Sequence, residues 1–332
     1  MNLDELRQLC EERHLLGHWY PDEREQSGLK PYLWKSQDLL PGLMRAGELV
    51  DMSSVAMRMI QPRHPDMPWG MSKTIHCTLQ CLMPGERTRG HRNVGSETRF
   101  VIKGAPGAHF IINGEAFPIE EGDFVTTPTW AWHDHYNAGT EPAVWLDGME
   151  NRLVTLGGSP GEQVPGGHQE VTKPPDFTLR TLGHMRPTWI KSQLPTPPYR
   201  YRWSDTYAGL MALKEARSEG DPCDGIYLRY SHPLTGGPTL PTRTFGMHLF
   251  TPGMQTTPRR RNCTTIYYAF RGAGIIDAEG ERLAWGEGDL MVLPPWVEHA
   301  HENDGSEDSL LFSISDQPAI EALGLYCEEI EK

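Results

Sequence analysis

The sequence predicts an all-β protein that contains two small β-barrels of the jelly-roll type and a few peripheral helices. High glycine and proline counts, 34 and 28 among 332 residues, imply the many turns that such barrels need. The chain also repeats itself: residues 121–135 (EGDFVTTPTWAWHDH) match residues 287–301 (EGDLMVLPPWVEHAH). Short alternating segments bounded by turn residues surround each copy. Two copies at an offset of 166 residues indicate two similar barrels and not a solenoid.

The composition excludes several classes of function. A formal net charge of −13 argues against a nucleic-acid partner, because phosphate binding needs a basic surface. No window of about 18 apolar residues exists, so no membrane-spanning helix is predicted. The N-terminal residues lack the apolar core of a signal peptide, and no two cysteines form a CxxC pair. Reduced thiols and a cytoplasmic location are therefore expected; the cysteines are Cys10, Cys77, Cys81, Cys223, Cys263 and Cys327.

The chain divides into four predicted segments. Residues 1–70 form a helical and extended N-terminal segment, with an amphipathic helix over residues 2–14. Residues 71–156 form the first barrel, and residues 157–240 form a linker that wraps the surface and carries one helix. Residues 241–332 form the second barrel and a C-terminal helix.

Individual elements follow from alternation and from capping residues. The linker helix is expected over Ser204–Arg217, from a serine cap to a stop before Gly220. The C-terminal helix is expected from an Asp316 cap to about Glu329, with an early proline. Alternation predicts six strands, three in each barrel: Ile75–Met83, Thr98–Ile102, Phe124–Thr127, Gly246–Phe250, Thr265–Phe270 and Leu290–Leu293.

Two cupin motifs lie in the first barrel. Residues 85–104 keep the spacing of the first motif, GxxxxxHxNxxxExxxxxxG, but Asn93 stands where a second histidine is usual. Residues 122–137 give the second motif intact, as GxxxxxPxWxxHxxxN. The first barrel is therefore predicted to be a metal-binding cupin domain, and the repeat predicts a second cupin domain.

Three residues of these motifs can hold a divalent metal: His91, Glu97 and His133. Two imidazoles and one carboxylate, with the opposite face of the metal open, suit an O₂-activating Fe(II) ion. Glu97 is alternatively an acceptor that orients a ligand histidine. Asn93 is either a weak fourth ligand or a hydrogen-bond donor to substrate or O₂. In a further interpretation the site has lost its metal.

More polar side chains are predicted to face the same interior. Side chains two apart on a strand share a face, which places Arg99 beside Glu97 and His135 beside His133. A buried arginine needs an anionic partner, so Arg99 binds either Asp147 or a substrate carboxylate. His135 is expected to exchange a proton near neutral pH, unless it is an exposed residue of the rim.

The strand over residues 74–83 has one polar and one apolar face. His76, Thr78 and Gln80 alternate with isoleucine, cysteine and leucine. A polar face inside a barrel is more easily explained by a lined pocket than by a packed core, so these residues are candidate pocket residues.

The second barrel has lost the metal ligands. Arg259, Arg261 and Thr265 stand at the ligand positions, and His299 alone is kept. Two arginines do not bind a cation, so this barrel is predicted to be a degenerate, metal-free cupin domain. A supporting or interface role is expected for it.

The chain resembles the bicupin ring-cleaving dioxygenases typified by gentisate 1,2-dioxygenase, together with salicylate and 1-hydroxy-2-naphthoate 1,2-dioxygenases. The likeness covers nearly the whole length of the chain. Its most specific pieces are Gln80-x3-Pro84-Gly-Glu86, Arg99-Phe100, residues 122–135, Trp145-Leu-Asp-Gly148, residues 224–238 and Ala322-Leu-Gly-Leu-Tyr326.

This resemblance implies an Fe(II) enzyme that inserts both atoms of O₂ into a hydroxylated aromatic acid. Cleavage falls between the hydroxyl-bearing and carboxyl-bearing carbons, and the substrate chelates iron through both groups. Arg99 and Gln80 match pocket positions of the family. His135 and Asp147 match residues credited with proton transfer and its support. A homotetramer is implied as well.

The chain departs from the family at several positions. Family members usually bind iron with three histidines and carry a small residue where Glu97 stands. The site is instead similar to the two-histidine, one-glutamate set of 3-hydroxyanthranilate dioxygenase. His76 replaces a pocket tryptophan, and Arg58 is the nearest match to an arginine of the family. These changes leave the identity of the aromatic acid open.

Three functions are compatible with these residues. The first is an Fe(II)-dependent ring-cleaving dioxygenase, with His76, Gln80, Asn93 and Arg99 around the substrate. The second is a metal-dependent cupin isomerase or decarboxylase that uses no O₂. The third is a non-catalytic bicupin that binds a small acid. Oxygen consumption and metal content separate them.

Overall fold

The computed structural model describes Gln8 and Glu12 together with residues 28–52, 55, 57–150, 163–182, 187–189, 197–216 and 220–331. The chain forms two units, residues 1–30 and residues 31–332. In the smaller unit Gln8 and Glu12 are helical, and Nε2 of Gln8 donates to Oε1 of Glu12 at 2.9 Å. The rest of the helix predicted over residues 2–14 lies outside the described residues.

The larger unit is built almost entirely of short strands. Its first half contains β1 (Tyr32–Trp34), α1 (Ser36–Leu49), β2 (Met59–Ile60), β3 (His76–Leu82), β4 (His91–Asn93), β5 (Glu97–Lys103), β6 (Ala108–Ile112), β7 (Glu115–Pro118), β8 (Phe124–Thr127), β9 (His133–Asn137), β10 (Ala143–Met149), β11 (Gln163–Pro165), α2 (Phe177–Leu182) and β12 (Tyr199–Tyr201). Its second half contains α3 (Trp203–Glu215), β13 (Ile226–Arg229), β14 (Thr244–Phe250), β15 (Arg259–Arg261), β16 (Thr265–Arg271), β17 (Ala273–Ala278), β18 (Glu281–Gly286), β19 (Leu290–Leu293), β20 (His299–Glu302), β21 (Ser309–Ser315), α4 (Gln317–Ala322) and β22 (Glu328–Ile330).

These strands form two barrels, each made of one six-stranded and one five-stranded antiparallel sheet. The first barrel has the strand orders β12-β8-β5-β10-β3-β2 and β11-β4-β9-β6-β7. The second has β1-β19-β16-β21-β14-β13 and β18-β17-β20-β15-β22. Five of the eight described edge strands come from outside the predicted barrels: β1 and β2 from the N-terminal segment, and β11, β12 and β13 from the linker. The predicted pair of jelly-roll barrels is confirmed.

The strand predictions are confirmed and the helix boundaries are not. The predicted strands Phe124–Thr127 and Leu290–Leu293 agree residue for residue with β8 and β19, and the other four shift by one or two residues at their ends. α3 begins at Trp203, so the serine cap was wrong. The backbone N–H of Trp203 instead donates to Oδ1 of Asp123 at 2.8 Å, which satisfies the helix start through the first barrel.

The C-terminal helix predicted to run to about Glu329 is also wrong. α4 ends at Ala322, and Gly324 follows with a positive φ of 71°, which stops a helix. The chain then forms β22, which pairs with β15. Asp316 does not cap α4 with its side chain, because its Oδ1 accepts the backbone N–H of Thr264 at 2.7 Å. The linker also contains α2 in addition to α3.

The two barrels share one hydrophobic core. The outer faces of the two six-stranded sheets pack against each other, and the rings of Phe100 and Phe312 stack across this contact at 4.2 Å. Separate apolar clusters fill the closed end of each barrel, around Trp145 in the first and Trp285 in the second. Residues of β5 and β10 that do not face the second barrel therefore face the interior of the first, where the candidate site lies.

The cysteines and the helices bear on two further predictions, free thiols and the absence of a membrane-spanning helix. The described cysteines are free thiols, buried at Cys77, Cys81, Cys223 and Cys263 and exposed at Cys327. This confirms unpaired thiols at these five positions, while Cys10 lies outside the described residues. Within the described ranges no helix is long and apolar enough to cross a membrane.

Candidate metal centre

The register of β5, β10 and β3 sets the inner face of the first barrel. Directly paired residues on antiparallel strands point to the same side of the sheet. Three paired rows cross these strands: Glu97 with Met149 and His76, Arg99 with Asp147 and Thr78, and Val101 with Trp145 and Gln80. The polar residues predicted on β3 and on β5 therefore share one face.

His91 and His133 begin β4 and β9 and are directly paired. Nδ1 of His91 lies 3.0 Å from the carbonyl oxygen of Arg89, and Nδ1 of His133 lies 2.9 Å from that of Ala131. A carbonyl acceptor places the proton on Nδ1 and leaves the lone pair of Nε2 for a ligand. The two rings are 4.2 Å apart and both are buried.

Glu97 completes a group of three possible ligands. Its Oε2 lies 3.1 Å from Nε2 of His133, and its Oε1 lies 3.9 Å from Nε2 of His91. The three ligand atoms all lie within 4.8 Å of one another. Burial and the neighbouring His133 lower the pKa of His91 to about 4, so its imidazole is neutral at neutral pH. Its Nε2 is buried and has no hydrogen-bond partner among the described residues.

Two donors hold the Glu97 carboxylate in place. Asn93 donates through Nδ2 to Oε1, and Arg99 donates through Nη2 to Oε2. Burial opposes ionisation, but the contacts with His133 and with the Arg99 guanidinium hold the pKa of Glu97 well below its usual value. The carboxyl group is therefore ionised, as a metal ligand must be.

Arg99 contacts the carboxyl groups of two residues, and burial raises the pKa of one of them, Asp147, to about 8 despite the arginine. Besides Glu97, its Nε lies 3.4 Å from Oδ1 of Asp147, and its Nη1 donates to Thr127. Trp145 donates through Nε1 to Oδ2 of Asp147 at 3.0 Å. Asp147 is thus the expected partner, and Glu97, which strand alternation placed beside Arg99, is a second one.

His135 lies deeper in the barrel than the candidate ligands. It is fully buried, so the alternative of an exposed rim residue is wrong. Its ring lies 5.8 Å from that of His133 and 5.2 Å from those of Phe110 and Trp145. Neither ring nitrogen has a hydrogen-bond partner in the described part of the chain. Burial and the charge of Arg99 lower the pKa of His135 well below its usual value, so it is neutral.

The polar face of β3 lies beside this group. Nε2 of Gln80 and Oγ1 of Thr78 are buried and have no hydrogen-bond partner within the described ranges. His76, at the start of β3, packs its ring 6.0 Å from that of the half-exposed Trp69. Arg58 is engaged elsewhere: its two terminal nitrogens bind the carboxylate of Glu86 at 2.8 and 2.7 Å.

Sequence reasoning missed a polar contact between the barrels. Glu150 accepts the backbone N–H and the hydroxyl of Ser96, at 2.9 and 2.7 Å. Arg243, which precedes β14 of the second barrel, donates to Glu150 at 3.0 Å and to the carbonyl oxygen of Ser96 at 2.9 Å. Ser96 directly precedes Glu97. No spacing signal connects Glu150 and Arg243, because 93 residues separate them.

A second missed contact lies beside the two candidate ligand histidines. The Arg92 guanidinium lies 4.3 Å from the ring of Trp130 and 4.7 Å from that of Trp132. Arg92 sits on β4 between the candidate ligand and Asn93, and the tryptophans precede β9. The Trp-x-Trp pair inside the second motif could have indicated this cation–π contact, which ties the two histidine-bearing strands together.

Comparisons with known proteins agree with this architecture. A family model described as a cupin domain matches the chain twice, over residues 78–149 and 246–315. A variant of salicylate 1,2-dioxygenase from Pseudoaminobacter salicylatoxidans, solved in complex with gentisate, superposes with a TM-score of 0.87 at 27% identity. The match covers 99% of this chain and 95% of that chain. The fold is therefore that of a bicupin.

Curated relatives identify the family within the bicupins. The chain is 35% identical to a 5-aminosalicylate 1,2-dioxygenase of Comamonas sp., over 91% of this chain and 82% of the relative. It is 34% identical to a 1-hydroxy-2-naphthoate 1,2-dioxygenase of Nocardioides sp. strain KP7, over 96% of this chain and 86% of the relative. The chain belongs to the gentisate, salicylate and hydroxynaphthoate 1,2-dioxygenase family of aromatic ring-cleaving enzymes, as its motifs predicted.

Proposed function

We propose that this chain is an Fe(II)-dependent dioxygenase that acts on a gentisate- or salicylate-like acid. Both atoms of O₂ enter between the ring carbons that carry the hydroxyl and carboxyl groups. The observation that carries the proposal is the buried group of His91, Glu97 and His133, whose ligand atoms lie within 4.8 Å of one another. The relatives named above, all 1,2-dioxygenases of hydroxylated aromatic acids, support the reaction type.

The donor set suits iron. Two neutral imidazoles and one carboxylate are the ligands of non-haem Fe(II) oxygenases, whereas a structural zinc site closes with four protein ligands. The buried Nε2 of His91, which has no partner among the described residues, fits a ligand that lacks its metal. When bound there, Fe(II) would supply the chemistry through which O₂ reacts with a phenolic ring.

Arg99 is the group that orients the substrate carboxylate. A guanidinium has five N–H donors, and Arg99 uses two of them on Glu97 and Thr127. The remaining donors allow the paired geometry in which arginine binds carboxylates. Asp147 holds the guanidinium from the opposite side. Gln80 and His76 lie on the same polar face of β3, Asn93 lies on β4 of the other sheet, and the three line the space around the ring.

His135 is the group that relays the phenolic proton, and because its pKa lies well below the usual value it takes up this proton only transiently. Its neutral state leaves one ring nitrogen free as a base, and neither nitrogen is committed to another described group. Asp147 supports this step indirectly by holding Arg99, whose charge keeps His135 neutral.

Anaerobic reconstitution followed by oxygen uptake tests this function. The chelator-treated chain is loaded with Fe(II) and mixed with gentisate, salicylate, 5-aminosalicylate or 1-hydroxy-2-naphthoate. We expect one O₂ to be consumed for each ring that is cleaved with at least one of these acids. An oxygen electrode measures the O₂, and the loss of ring absorbance measures the cleavage. Iron bound at one per chain with no oxygen uptake on any acid contradicts the proposal, and conversion of an acid without O₂ indicates the isomerase or decarboxylase.

A matched histidine pair tests the ligand assignment in the same assay. His91→Ala should abolish both iron retention and oxygen uptake. His109→Ala is the control, because His109 lies in the same barrel and its Nδ1 also contacts the carbonyl oxygen two residues before it, at 3.2 Å. It should retain iron at the wild-type level. Equal iron in both variants would remove His91 from the ligand set.

The proposal also covers the oligomeric state, the cellular location and the segment boundaries. We infer a homo-oligomer, a tetramer by family resemblance, which sedimentation velocity measures directly. The exposed Leu323, Leu325 and Ile330 near the C-terminus supply apolar surface for such an assembly. The free thiols support a cytoplasmic location. The division at residues 70, 156 and 240 stays a proposal as well.

A further inference from the structure

The second barrel contains a cavity at the position that corresponds to the metal centre of the first. Its volume is about 370 Å³, which is within the range of small-molecule sites. Arg259 pairs directly with His299, as His91 pairs with His133 in the first barrel. The cavity is lined by side chains of β13, β14, β15 and β21 and by the segment before β22, among them Arg259, Arg261, Tyr227, His248, Thr244 and Tyr326.

Arginine side chains stand where the first barrel has metal ligands. Arg259 occupies the position of His91, Arg261 that of Asn93 and Thr265 that of Glu97. All three are buried, so two guanidinium charges lie at the place where the first barrel would hold a cation. Removing an arginine charge from water is costly without an anion, so the charge balance of the cavity decides what it binds.

Asp224 forms an ion pair with Arg259; it also attracts the charge of Arg261, but Arg261 forms no ion pair with a described carboxylate. Nη2 of Arg259 lies 2.5 Å from Oδ1 of Asp224, and its Nη1 lies 3.4 Å from Oε1 of the half-buried Glu328. Arg261 donates through Nη2 to the hydroxyl of Thr265 at 2.9 Å. Within the described ranges it has no carboxylate partner, and its buried Nε has no hydrogen-bond partner.

The other charged groups at the cavity do not neutralise Arg261. The exposed Asp221 accepts the backbone N–H groups of Cys223 and Asp224, at 2.8 and 2.9 Å. Arg229, also exposed at the cavity wall, adds a further positive charge. A buried guanidinium that faces a cavity and lacks an anion is a built anion site.

The walls of the cavity suit an organic anion. The rings of Tyr227 and His248 stack at 4.1 Å, and Tyr326 lines the cavity from the segment before β22. Thr244 directs a buried hydroxyl that has no partner in the described part of the chain. Aromatic walls with a few fixed polar groups are typical of sites for ring-sized ligands.

We propose that this cavity binds a small organic carboxylate of single-ring size, with Arg261 as its anchoring group. The guanidinium of Arg261 pairs with the carboxylate, and the tyrosines pack on the carbon skeleton. This is a second acid site that needs no metal, because arginine supplies the positive charge that a metal supplies in the first barrel. The proposal is independent of the reaction proposed for the first barrel.

Calorimetric titration of the metal-depleted chain with benzoate tests it. Benzoate lacks the hydroxyl that metal chelation requires. Arg261→Gln should weaken benzoate binding at least about tenfold, which is the loss expected for a charge-assisted hydrogen bond in a buried site. Arg260→Gln is the matched control, because Arg260 lies on the same strand, points outward and pairs with Glu329 at 2.8 Å. It should leave the affinity unchanged.

Two further variants keep the test decisive. Tyr326→Ala removes a wall residue that is partly exposed, so it should weaken binding without unfolding the barrel, which melting curves verify. Arg99→Gln probes the first barrel. Binding that is lost with Arg99→Gln and kept with both Arg261→Gln and Tyr326→Ala belongs to the first barrel and overturns the proposal. Two benzoate sites, one lost in Arg99→Gln and the other in Arg261→Gln, support the proposal.

The choice of titrant distinguishes the sources of the carboxylate. Salicylate represents ring acids, and maleate represents open-chain acids. If either one binds more tightly than phosphate, the proposal is supported, and the tighter of the two identifies the class of carboxylate. Phosphate that binds more tightly than all the carboxylates overturns it, as does the absence of saturable binding by any carboxylate.

Discussion

The pairing of Glu97 with Arg99 is the least expected feature of the candidate metal centre. A carboxylate and a guanidinium two residues apart on one strand share a face, so each compensates the other when both are buried. The arginine keeps Glu97 ionised at neutral pH and ready for a cation. Under the proposed function, Arg99 therefore contacts both the candidate ligand Glu97 and the substrate carboxylate.

Replacing Glu97 by glutamine should abolish iron retention. The carboxamide has the same shape but no charge, and the two histidines alone hold Fe(II) weakly. We expect the iron content of the desalted variant to fall at least tenfold, measured by absorption spectrometry. Glu115→Gln is the control, because Glu115 is buried in the same barrel but bonds Thr178. Iron that stays in the Glu97 variant would place Glu97 outside the metal's coordination shell.

The contact of Glu150 with Arg243 predicts a defined acid sensitivity. Burial raises the pKa of Glu150, but the charge of Arg243 and the bonds from Thr242 and Ser96 outweigh burial and lower it below 4.5. A depressed folded-state pKa stabilises the protein above the unfolded-state pKa, and this contribution is lost as the pH falls through the folded-state value. Denaturant titrations should show wild type losing this contribution below about pH 4.5, and Glu150→Gln lacking it. Equal pH profiles for both proteins contradict the assignment.

Removing the arginine of this pair should have a larger effect. Arg243→Met leaves the Glu150 carboxylate buried without its partner, which costs about 3–5 kcal/mol of unfolding free energy. The loss should appear in urea titrations at pH 7. Arg229→Met is the control, because Arg229 lies on β13 of the same barrel and is exposed. A loss of similar size in the control would show that the pair is not responsible.

At the scale of residues, the sequence predicted those side chains of the candidate site whose positions follow from motif spacing or strand alternation. His91, Glu97 and His133 lie in fixed motifs, and strand alternation placed Arg99 and Gln80 on the same inner face. The register also explains why Asp147 was found. Glu150 and Arg243 could not be found in this way, because a pairing between two barrels depends on how the sheets pack and not on a local period.

Among the elements, β11 shows how closely the linker is fitted to the first barrel. It pairs with β4, the strand that carries His91 and Asn93. The backbone N–H of Gly166 donates to the carbonyl oxygen of Gly90 at 2.7 Å. A Cβ atom on Gly90 would overlap the carbonyl oxygen of Gly167, so glycine is required there for close approach.

A pair of glycine substitutions tests this contact. Gly90→Ala should destabilise the protein by about 1–3 kcal/mol, as overpacking does, and should reduce iron retention by displacing β4. Gly167→Ala should be nearly neutral, since a Cβ there meets nothing within 4 Å. Chemical denaturation and iron analysis of both variants measure the difference. Similar destabilisation by the two would contradict a close approach at Gly90.

The elements also show where local sequence signals fail. α1 contains Pro41, Gly42 and Gly47, which weaken any helical prediction. Its buried Leu39 and Leu43 pack into the core shared by the barrels, and tertiary packing outweighs the low propensity. The C-terminal helix fails for the opposite reason. Its residues favour a helix, but the free edge of β15 pairs with β22.

At the scale of the whole molecule, the shared core predicts one unfolding transition. Phe312 of the second barrel packs against Phe100 and Phe124 of the first. Phe312→Ala should cost about 3–5 kcal/mol and lower iron retention, although the residue is not part of the first barrel. Leu49→Ala, at a 67% exposed position, should change neither quantity. Calorimetry and iron analysis provide the test. Two separate melting transitions in the wild type would show that the barrels unfold independently.

The strand β1 has a consequence for how the chain is made. It completes a sheet of the second barrel by pairing with β19. The backbone hydrogen bonds of residues near 33 therefore cannot form until residues near 291 have been synthesised. At roughly 5–20 residues per second on the ribosome, that interval lasts about ten seconds to a minute. During that interval the nascent chain carries β1 without its strand partner, and the sheet that contains β1 and β19 cannot be completed. Until β19 is made, the unpaired backbone groups of β1 are open to pairing with other strands.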